Sequence, residues 1–172
     1  MTVKTATLSD IDRILEIYDI ARSFMRKNGN MTQWINGYPD RVTVTDDVKK
    51  GKCYIVLSEE KVCGAFYFNI YDDPTYRYIE GKWLNSEEYG VIHRIGSDGT
   101  THGVLETAID FAFRHTDNVR IDTHEDNTVM QHLLLKFGFT RCGIIYIEDG
   151  SPRVAFHKKA GELHSFKEYL YK

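Results

Sequence analysis

The feature that most constrains the fold is an apolar strand, a glycine-rich loop and a helix that follow one another directly. The strand ends near Ile95, and the loop carries Gly96, Gly99 and Gly103. Apolar residues at helical spacing predict a helix over 103–115: Val104, Leu105, Ala108, Ile109, Ala112 and Phe113. Such a junction directs unpaired backbone N–H groups to one point, where the helix dipole also favours negative charge. The sequence therefore predicts a site for a ligand that carries phosphate.

The loop differs from the two common nucleotide-binding loops. No Lys-Ser or Lys-Thr pair follows its glycines, so it lacks the ammonium and hydroxyl of a P-loop. Its glycines at 96, 99 and 103 also miss the G-x-G-x-x-G spacing of a dinucleotide site. Taken alone, the loop is equally compatible with a simple turn.

Two motifs in the second half of the chain narrow the choice. The first is the loop itself, T-T-H-G-V-L: Thr100, Thr101, His102, Gly103, Val104 and Leu105. The second is N-T-V-M-Q-H-L-L-L-K-F-G-F, from Asn127 to Phe139. Residues 89–158 with these motifs resemble the core of the GNAT superfamily of acetyl-CoA-dependent N-acetyltransferases, whose signatures are Q/R-x-x-G-x-G/A and N-x-x-A-x-x-L-Y-x-K-x-G-F. The central glycine of the first signature is kept, and Leu134 stands where the second has Tyr.

The resemblance implies an α/β (α+β) acyl-CoA N-acyltransferase fold. This is a mixed, mostly antiparallel sheet with a splayed parallel strand pair at its centre, flanked by helices. We expect about seven strands and four helices, and a right-handed crossover between the strands that end near Ile95 and Thr123. A single domain is predicted for residues 1–160, followed by a C-terminal tail, 161–172.

Local signals place several further elements. Ser9 is predicted to cap the first helix, and Asn127 or Thr128 the helix that follows the last central strand. The Asp149-Gly150 pair predicts a hairpin turn near the end of the chain. The polar and aromatic insertion 72–88 could shape an acceptor site or pack against a second copy in a homodimer, and the sequence does not decide between these.

Composition limits the partners. With 22 basic and 25 acidic residues in 172, the net charge is −3 and gives no argument for nucleic acid or membrane. The three cysteines are far apart and lie among apolar residues, so reduced thiols in a cytoplasmic protein are expected, without disulfides or metal. The N-terminus has no apolar signal core, and no stretch approaches the roughly 18 apolar residues of a membrane span.

The resemblance implies acetyl-CoA as cosubstrate and a set of residues that bind it. The pantetheine arm would enter between the splayed strands and meet exposed backbone groups of Ile95 and Gly96. The pyrophosphate would lie on the loop and the helix start. By the same resemblance, the expected binding residues are Ile95, Gly96, Thr100, Thr101, His102, Gly103, Val104, Leu105 and Asn127.

Acetyl transfer to an amine requires a base, because an alkylammonium with a pKa of about 10.4 is not nucleophilic. His93 and His124 are the catalytic candidates, although each is equally at home as a hydrogen-bonded structural histidine. The carboxylates Asp122 and Glu125 lie near them in sequence. Tyr146 is the nearest substitute for the acid that Leu134 replaces, with a structural role in its strand as the alternative.

The acceptor is predicted to be a small-molecule amine. Trp34 and Tyr38 lie in an aromatic segment after the first helix and could form one wall of its pocket, with Arg94 as a further contact. Strand alternation places His93 and Arg94 on opposite faces, so we expect only one of them in the cleft.

The sequence thus predicts an N-acetyltransferase that moves acetyl from acetyl-CoA to an amine by direct attack. The alternative is a GNAT-like domain that binds acyl-CoA without turnover, suggested by Leu134 and by Thr100 at the family's basic position. A metal-dependent hydrolase built on the acidic and histidine residues at 93 and 122–126 is a third interpretation, but it lacks H-E-x-x-H.

Overall fold

The computed structural model describes residues 1–161, so the predicted tail lies outside the described residues except for its first position. The strands are β1 (Thr2–Thr5), β2 (Cys53–Ser58), β3 (Lys61–Ile70), β4 (Glu80–Gly81), β5 (Gly90–Ser97), β6 (Asn118–Thr123), β7 (Thr140–Tyr146) and β8 (Pro152–Lys159). The helices are α1 (Ile11–Lys27), α2 (Arg41–Lys49), α3 (Val104–Phe113) and α4 (Thr128–Lys136).

All these strands belong to one mixed sheet in the order β1-β2-β3-β5-β6-β8-β7-β4. Strands β5 and β6 run parallel and are connected through α3, whereas the other neighbours are antiparallel. The predicted mixed α/β fold with a central parallel pair is therefore confirmed. The strand count exceeds the expected seven because the insertion 72–88 contains the two-residue strand β4.

The parallel pair is joined over a short length. Gly90 pairs with Val119 and Val91 with Arg120, and within residues 1–161 the β5–β6 ladder extends no further. Beyond these positions the facing edges of β5 and β6 are open. This is the splayed geometry that the sequence led us to expect at the centre of the sheet.

Helices cover both faces of the sheet. Ile14 and Ile17 of α1 pack in one cluster with Ile55, while Ala108 of α3 and Leu134 of α4 pack in another that contains Val56. Adjacent residues of a strand point to opposite faces, so α1 and α2 lie on one face and α3 and α4 on the other.

The insertion 72–88 packs against its own sheet. Tyr76 is almost fully buried, and it forms a third cluster with Trp83, Tyr89 and sheet residues that include Val91. The guanidinium of Arg120 lies over the rings of Trp83 and Tyr89, at 4.1 and 3.7 Å from their centroids. The segment therefore covers the face of β5, β6 and β8 that α1 and α2 leave open.

The local signals had mixed outcomes. Asn127 caps α4, because its side chain accepts a hydrogen bond from the Met130 N–H at 3.2 Å. The Asp149-Gly150 turn is also confirmed. Ser9 as a helix cap is wrong: it lies inside a short 3₁₀ turn, and Thr7 and Asp10 form the capping pair instead. No helix within residues 1–161 is both long and apolar enough to cross a membrane.

His157 of β8 gives the fold a testable dependence on pH. The side chain is fully buried, and its Nδ1 accepts a hydrogen bond from the Leu84 N–H at 3.3 Å. Burial, and then the charges of Arg120 and Lys159, lower the pKa of His157 to about 4. The usual value is about 6.5, so the unfolded chain binds a proton first as the pH falls. The contribution of neutral His157 is full above about pH 6.5 and declines towards pH 4, by at most about 3 kcal/mol.

His157→Gln should flatten this decline, because Gln keeps a donor and an acceptor but does not titrate. Denaturant unfolding at pH 7, 5.5 and 4.5 would measure the slope. His132→Gln, at an exposed position on α4, is the matched control and should keep the wild-type slope. An unchanged slope in His157→Gln would show that another group titrates in this window.

Candidate active site

The glycine-rich loop presents a row of backbone donors at the start of α3. The N–H groups from Thr101 to Glu106 donate to no acceptor among residues 1–161, whereas the Thr107 N–H bonds to the Gly103 carbonyl. The first N–H groups of a helix have no partner within it, and the helix dipole makes this end positive. The loop therefore has the donors of an anion site, as predicted.

Asp98 holds the loop in this shape. Its Oδ1 accepts hydrogen bonds from the N–H and hydroxyl of Thr100, at 2.9 and 2.7 Å, and its Oδ2 is paired with Arg13. Arg13 also donates to the Val62 carbonyl at 2.9 and 3.0 Å. The Thr100 N–H therefore already has an acceptor within the protein. Thr100 was predicted to bind phosphate, but in the structure its N–H stabilises the loop.

Two glycines let the helix and the loop approach the sheet closely. A β-carbon at Gly64 of β3 would lie 2.4 Å from a methyl of Val104, so the first turn of α3 sits directly on this strand. A β-carbon at Gly96 would lie 2.9 Å from the ring of Tyr18, which is buried in α1. Val104 lies in the hydrophobic core, and Leu105 packs against that core, so only their backbone groups are available to a ligand.

A β-bulge interrupts β5 beside the loop. Tyr67 pairs with His93 and Ala65 with Gly96, so two residues of β5 face one of β3. Arg94, the first residue of the bulge, has a φ of 48°, which is uncommon for a residue other than glycine. The bulge breaks the alternation of side chains along β5.

Because of the bulge, His93 and Arg94 line the same cavity, and the expectation that they face opposite sides is wrong. Both contact Tyr67: the His93 ring centroid lies 5.9 Å from that of Tyr67, and the Arg94 guanidinium lies over it at 4.5 Å.

The cavity has a volume of about 750 Å³ and passes through the opening between β5 and β6. Its lining includes Ile92 and Ile121 from the face covered by α3 and α4, together with His93 and Asp122 from the opposite face. Ile95, next to the anion loop, also lines it. One continuous space thus connects the two sides of the sheet at the point where the parallel strands separate.

His93 is held between two carboxylates. Its Nε2 lies 2.9 Å from Asp73 Oδ2, and its Nδ1 lies 3.5 Å from Asp122 Oδ1. Tyr71 donates its hydroxyl proton to Asp73 at 2.5 Å, and Tyr76 donates to Asp122 at 2.7 Å. These four side chains fix the orientation of the imidazole.

Asp73 is ionised at neutral pH. Burial raises the pKa of Asp73, but hydrogen bonds from His93, Tyr71 and Thr75 outweigh burial and hold it well below the usual value. A carboxylate only accepts hydrogen bonds, so the contact at 2.9 Å assigns the proton to Nε2 of His93. Nδ1 is then the nitrogen that carries the free lone pair in the neutral ring.

Sequence reasoning missed Asp73. It lies in the insertion 72–88, where no periodicity predicts a contact with a strand twenty residues later. The one local signal is Asp before Pro74, which is typical of a cap on a short helical turn. That signal is correct, since Asp73 accepts from the Thr75 N–H at 2.9 Å, but it says nothing of His93.

His124 and Asn127 follow the end of β6. His124 Nδ1 accepts from the Asp126 N–H at 3.1 Å, which leaves Nε2 to donate to the Thr32 hydroxyl at 3.0 Å. Asn127 donates to the side chain of Gln33 at 3.0 Å. Both residues line the cavity and join the segment after α1 to the end of β6.

The aromatic segment after α1 lines the cavity, and its role as the wall of an acceptor pocket stays a prediction. Trp34 and Tyr38 both line it, and the Tyr38 hydroxyl accepts from Arg94 at 3.1 Å. Arg94 makes a bidentate pair with Asp47 of α2, at 2.9 and 3.0 Å. Burial raises the pKa of Asp47, and the charge of Arg94 opposes that effect.

The structure does not bring Tyr146 to this site. Its side chain lies at the β7 edge, where it donates to Glu80 at 2.8 Å and stacks on Tyr78, away from the cavity lining. Leu134, at the position of the family tyrosine, is fully buried in the core beneath the sheet. Within residues 1–161, no group of three or more His, Cys, Asp or Glu is placed to hold a metal ion.

Solved structures similar to this protein exist, whereas the sequence comparisons found no match. No protein-family model matches the chain, and no curated protein sequence does either. The crystal structure of a GNAT-family acetyltransferase from Streptococcus agalactiae 2603 is similar, with 30% identity and a TM-score of 0.84, over 92% of this chain and 94% of that one.

Two further structures share the fold at lower identity. A GNAT-family acetyltransferase from Bacillus cereus ATCC 10987 has 21% identity and a TM-score of 0.62, over 92% of this chain and 96% of that one. Another from Listeria monocytogenes 4b F2365 has 18% identity and a TM-score of 0.66, over 92% and 94%. With the open parallel pair, the anion loop and the cavity between them, the likeness at 30% identity over most of both chains shows that this protein belongs to the GNAT family of acetyltransferases.

Proposed function

We propose that the protein transfers the acetyl group of acetyl-CoA to the primary amine of a small molecule, with His93 as the proton acceptor. The observation that carries this proposal is the hydrogen bond from His93 Nε2 to ionised Asp73 at 2.9 Å. It leaves Nδ1 as the basic nitrogen, inside the cavity that runs through the open strand pair. Histidine is the side chain that most often serves as the proton acceptor in such a step.

The anion loop supports acetyl-CoA as the cosubstrate. The pyrophosphate would accept hydrogen bonds from the free N–H groups between Thr101 and Glu106. These include those of His102, Gly103, Val104 and Leu105. The pantetheine arm would then reach the open edge of β5 near Ile95 and Gly96, and its thioester would lie at the end of the cavity that His93 lines.

The reaction balances without a further reactant. The acceptor arrives as an ammonium and gives one proton to His93 Nδ1. The amine nitrogen attacks the thioester carbonyl carbon, the new C–N bond forms, and the C–S bond breaks as coenzyme A leaves as thiolate. The second amine proton goes to that thiolate, and His93 releases its proton to solvent. A thiolate is a sufficiently good leaving group to depart without an acid at the position of Leu134.

The segment 32–38 and the insertion 72–88 support a small acceptor. Trp34, Tyr38 and Tyr71 close around the cavity near His93. Asp73 acts here as a positioning residue, because it orients the imidazole and does not itself reach the reacting atoms.

Gly103→Glu should abolish acetyl-CoA binding. Gly103 has a φ of 97°, and a β-carbon there would lie 2.9 Å from the terminal methyl of Met1 and 3.9 Å from Oε2 of Glu106. Substitution therefore costs about 1–2 kcal/mol in backbone strain and requires the flexible Met1 side chain to shift. A carboxylate would add negative charge where the pyrophosphate must lie. Isothermal titration with acetyl-CoA is the measurement, and a loss of at least about tenfold in affinity is expected.

Gly103→Gln is the matched control for this variant. It imposes the same backbone strain and nearly the same volume without the charge, so it should bind acetyl-CoA more tightly than Gly103→Glu. Equal affinities in the two variants would place the phosphates elsewhere on the protein.

His93→Gln should lower kcat by about 10²-fold or more, the usual effect of removing a general base. Gln can still donate to Asp73, so the variant should fold and bind acetyl-CoA as the wild type does. Steady-state kinetics and titration with acetyl-CoA are the measurements, and an unchanged kcat in a variant that still binds acetyl-CoA would remove His93 from the mechanism.

Asp73→Asn separates the positioning role from the catalytic one. An amide at 73 removes the ionised acceptor that holds the Nε2 proton, so kcat should fall, but by less than in His93→Gln, which loses the proton acceptor itself. Tight acetyl-CoA binding by the wild type with no turnover of any amine would favour the alternative of a non-catalytic acyl-CoA-binding domain.

A further inference from the structure

Three lysine or arginine side chains line the cavity, and two of them already have carboxylate partners. Arg94 is paired in bidentate fashion with Asp47, at 2.9 and 3.0 Å, and Lys50 is paired with Asp46 at 2.6 Å. The third is Arg153 of β8. Among residues 1–161, no carboxylate pairs with its guanidinium. Arg153 is therefore the cation of this lining whose charge is available to a ligand.

Arg153 is half-buried and uses little of its hydrogen-bonding capacity. Its guanidinium donates to the Pro152 carbonyl at 2.7 Å, whereas a guanidinium carries five N–H donors. Glu148 and Asp149 also line the cavity, but both are exposed, and Asp149 accepts from the Ser151 N–H at 2.8 Å. The guanidinium thus keeps donors for a planar, bidentate acceptor, and carboxylate is the group that matches its geometry.

The sheet places Arg153 near the proposed base. Arg153 lies two residues along β8 from Ala155, and Ala155 pairs with Asp122 of β6. Residues two apart on a strand share a face, so Arg153 and Asp122 are diagonal neighbours, about 7–8 Å apart and within reach of a long side chain. Asp122 Oδ1 in turn lies 3.5 Å from His93 Nδ1. A positive charge is thus held within the length of a small molecule from the proton acceptor.

Arg153 also lies on the face of the sheet that carries His93, away from the anion loop. Its neighbour Ala155 belongs to the cluster that contains Val91, two residues before His93, on the face covered by the insertion 72–88. Helix α3, which follows the anion loop, packs on the opposite face. Arg153 is therefore placed to bind the acceptor rather than the pyrophosphate of acetyl-CoA.

We infer that Arg153 binds a carboxylate of the acceptor, and that the acceptor is an amino acid or a close analogue in which a few bonds separate the amine from the carboxylate. This assignment rests on the proposed function, which places the amine at His93, and narrows it. A guanidinium and a carboxylate form two parallel hydrogen bonds, and such charge-assisted pairs are stronger than neutral ones. The negative charge of Asp122 beside His93 and the positive charge of Arg153 one diagonal away match the order of charges in a zwitterion.

The other charges of the cavity make this cation decisive. Asp122, Glu148 and Asp149 are lining residues, and each repels an anionic ligand. With Arg153 present, the lining offers an unpaired cation to the carboxylate of an amino acid. Without Arg153, the same three carboxylates favour an amine that carries no carboxylate.

Matched pairs of substrates test the inference with the wild-type protein. We would compare phenylalanine with phenethylamine and leucine with 3-methylbutylamine, at saturating acetyl-CoA with thiol release as the readout. The members of each pair differ only in the α-carboxylate. We expect kcat/KM to be at least about tenfold higher for the amino acid in each pair, the effect of one hydrogen-bonded charge. Equal or better turnover of the decarboxylated amines would overturn the inference.

Peptides with free N-termini and linear polyamines complete the panel and separate two kinds of failure. Turnover of those acceptors without turnover of either amino acid overturns the acceptor class and leaves the acetyltransferase intact. Acetyl-CoA binding by titration with no turnover of any acceptor overturns both.

Arg153→Gln tests the residue itself. Gln can still donate a hydrogen bond but carries no charge, so KM for phenylalanine should rise at least about tenfold. KM for acetyl-CoA should not change, and kcat/KM for phenethylamine should not fall. Arg153→Lys keeps the charge without the planar fork, so its KM for phenylalanine should lie between those of the wild type and Arg153→Gln.

Arg141→Gln is the matched control. It removes one charge from an exposed position on β7, outside the cavity lining, and should leave KM for phenylalanine and for acetyl-CoA unchanged. A wild-type KM for phenylalanine in Arg153→Gln, or the same increase in Arg141→Gln, would overturn the role of Arg153.

Discussion

The bulge at Arg94 is the constraint on which the site depends. An arginine at φ 48° is unfavourable in isolation and persists because its surroundings hold it. Here its guanidinium is fixed by a bidentate pair with Asp47, a hydrogen bond to Tyr38 and the face of Tyr67. The extra residue lies in the part of β5 that no longer pairs with β6, and it brings His93 and Arg94 to one side. One local distortion therefore orients the proposed base beside the open strand pair.

The same contacts connect the bulge to the rest of the chain. Asp47 lies on α2, and Tyr38 lies in the segment that covers the cavity, so the cover is tied to the strand that carries His93. Leaving one member of a buried ion pair without its partner is costly, which makes this connection difficult to break one residue at a time. The insertion 72–88 brings Asp73 to the imidazole of His93. Two irregular segments thus complete a site whose centre is the bulged strand β5.

Features of the fold and the site that depend on residues close together in sequence could be predicted, whereas those that depend on distant residues could not. Apolar spacing after Gly103 and the capping of α4 by Asn127 are local, and both predictions hold in the structure. The prediction that Ser9 caps the first helix was wrong because the neighbouring Thr7 and Asp10 form the capping pair, and the sequence pattern does not distinguish the two possibilities. The shared face of His93 and Arg94 was hidden because strand alternation assumes a regular strand. Asp73 was missed because its contact with His93 depends on how an aperiodic segment packs over the sheet.

The two halves of the site therefore differ in how far they can be predicted from the sequence. The half proposed for acetyl-CoA consists of backbone N–H groups and an open strand edge, which follow from a strand, a loop and a helix in sequence. The half proposed for the acceptor consists largely of side chains from segments without periodicity. Its chemistry depends on the hydrogen bonds that these side chains make in the folded protein. Asp73 and Asp122 are both aspartates beside one histidine, yet one is saturated and the other has a free oxygen. Because that difference is set by Tyr71, Thr75 and Tyr76, the hydrogen bonding around His93 depends on the insertion and the residue before it as much as on the strands.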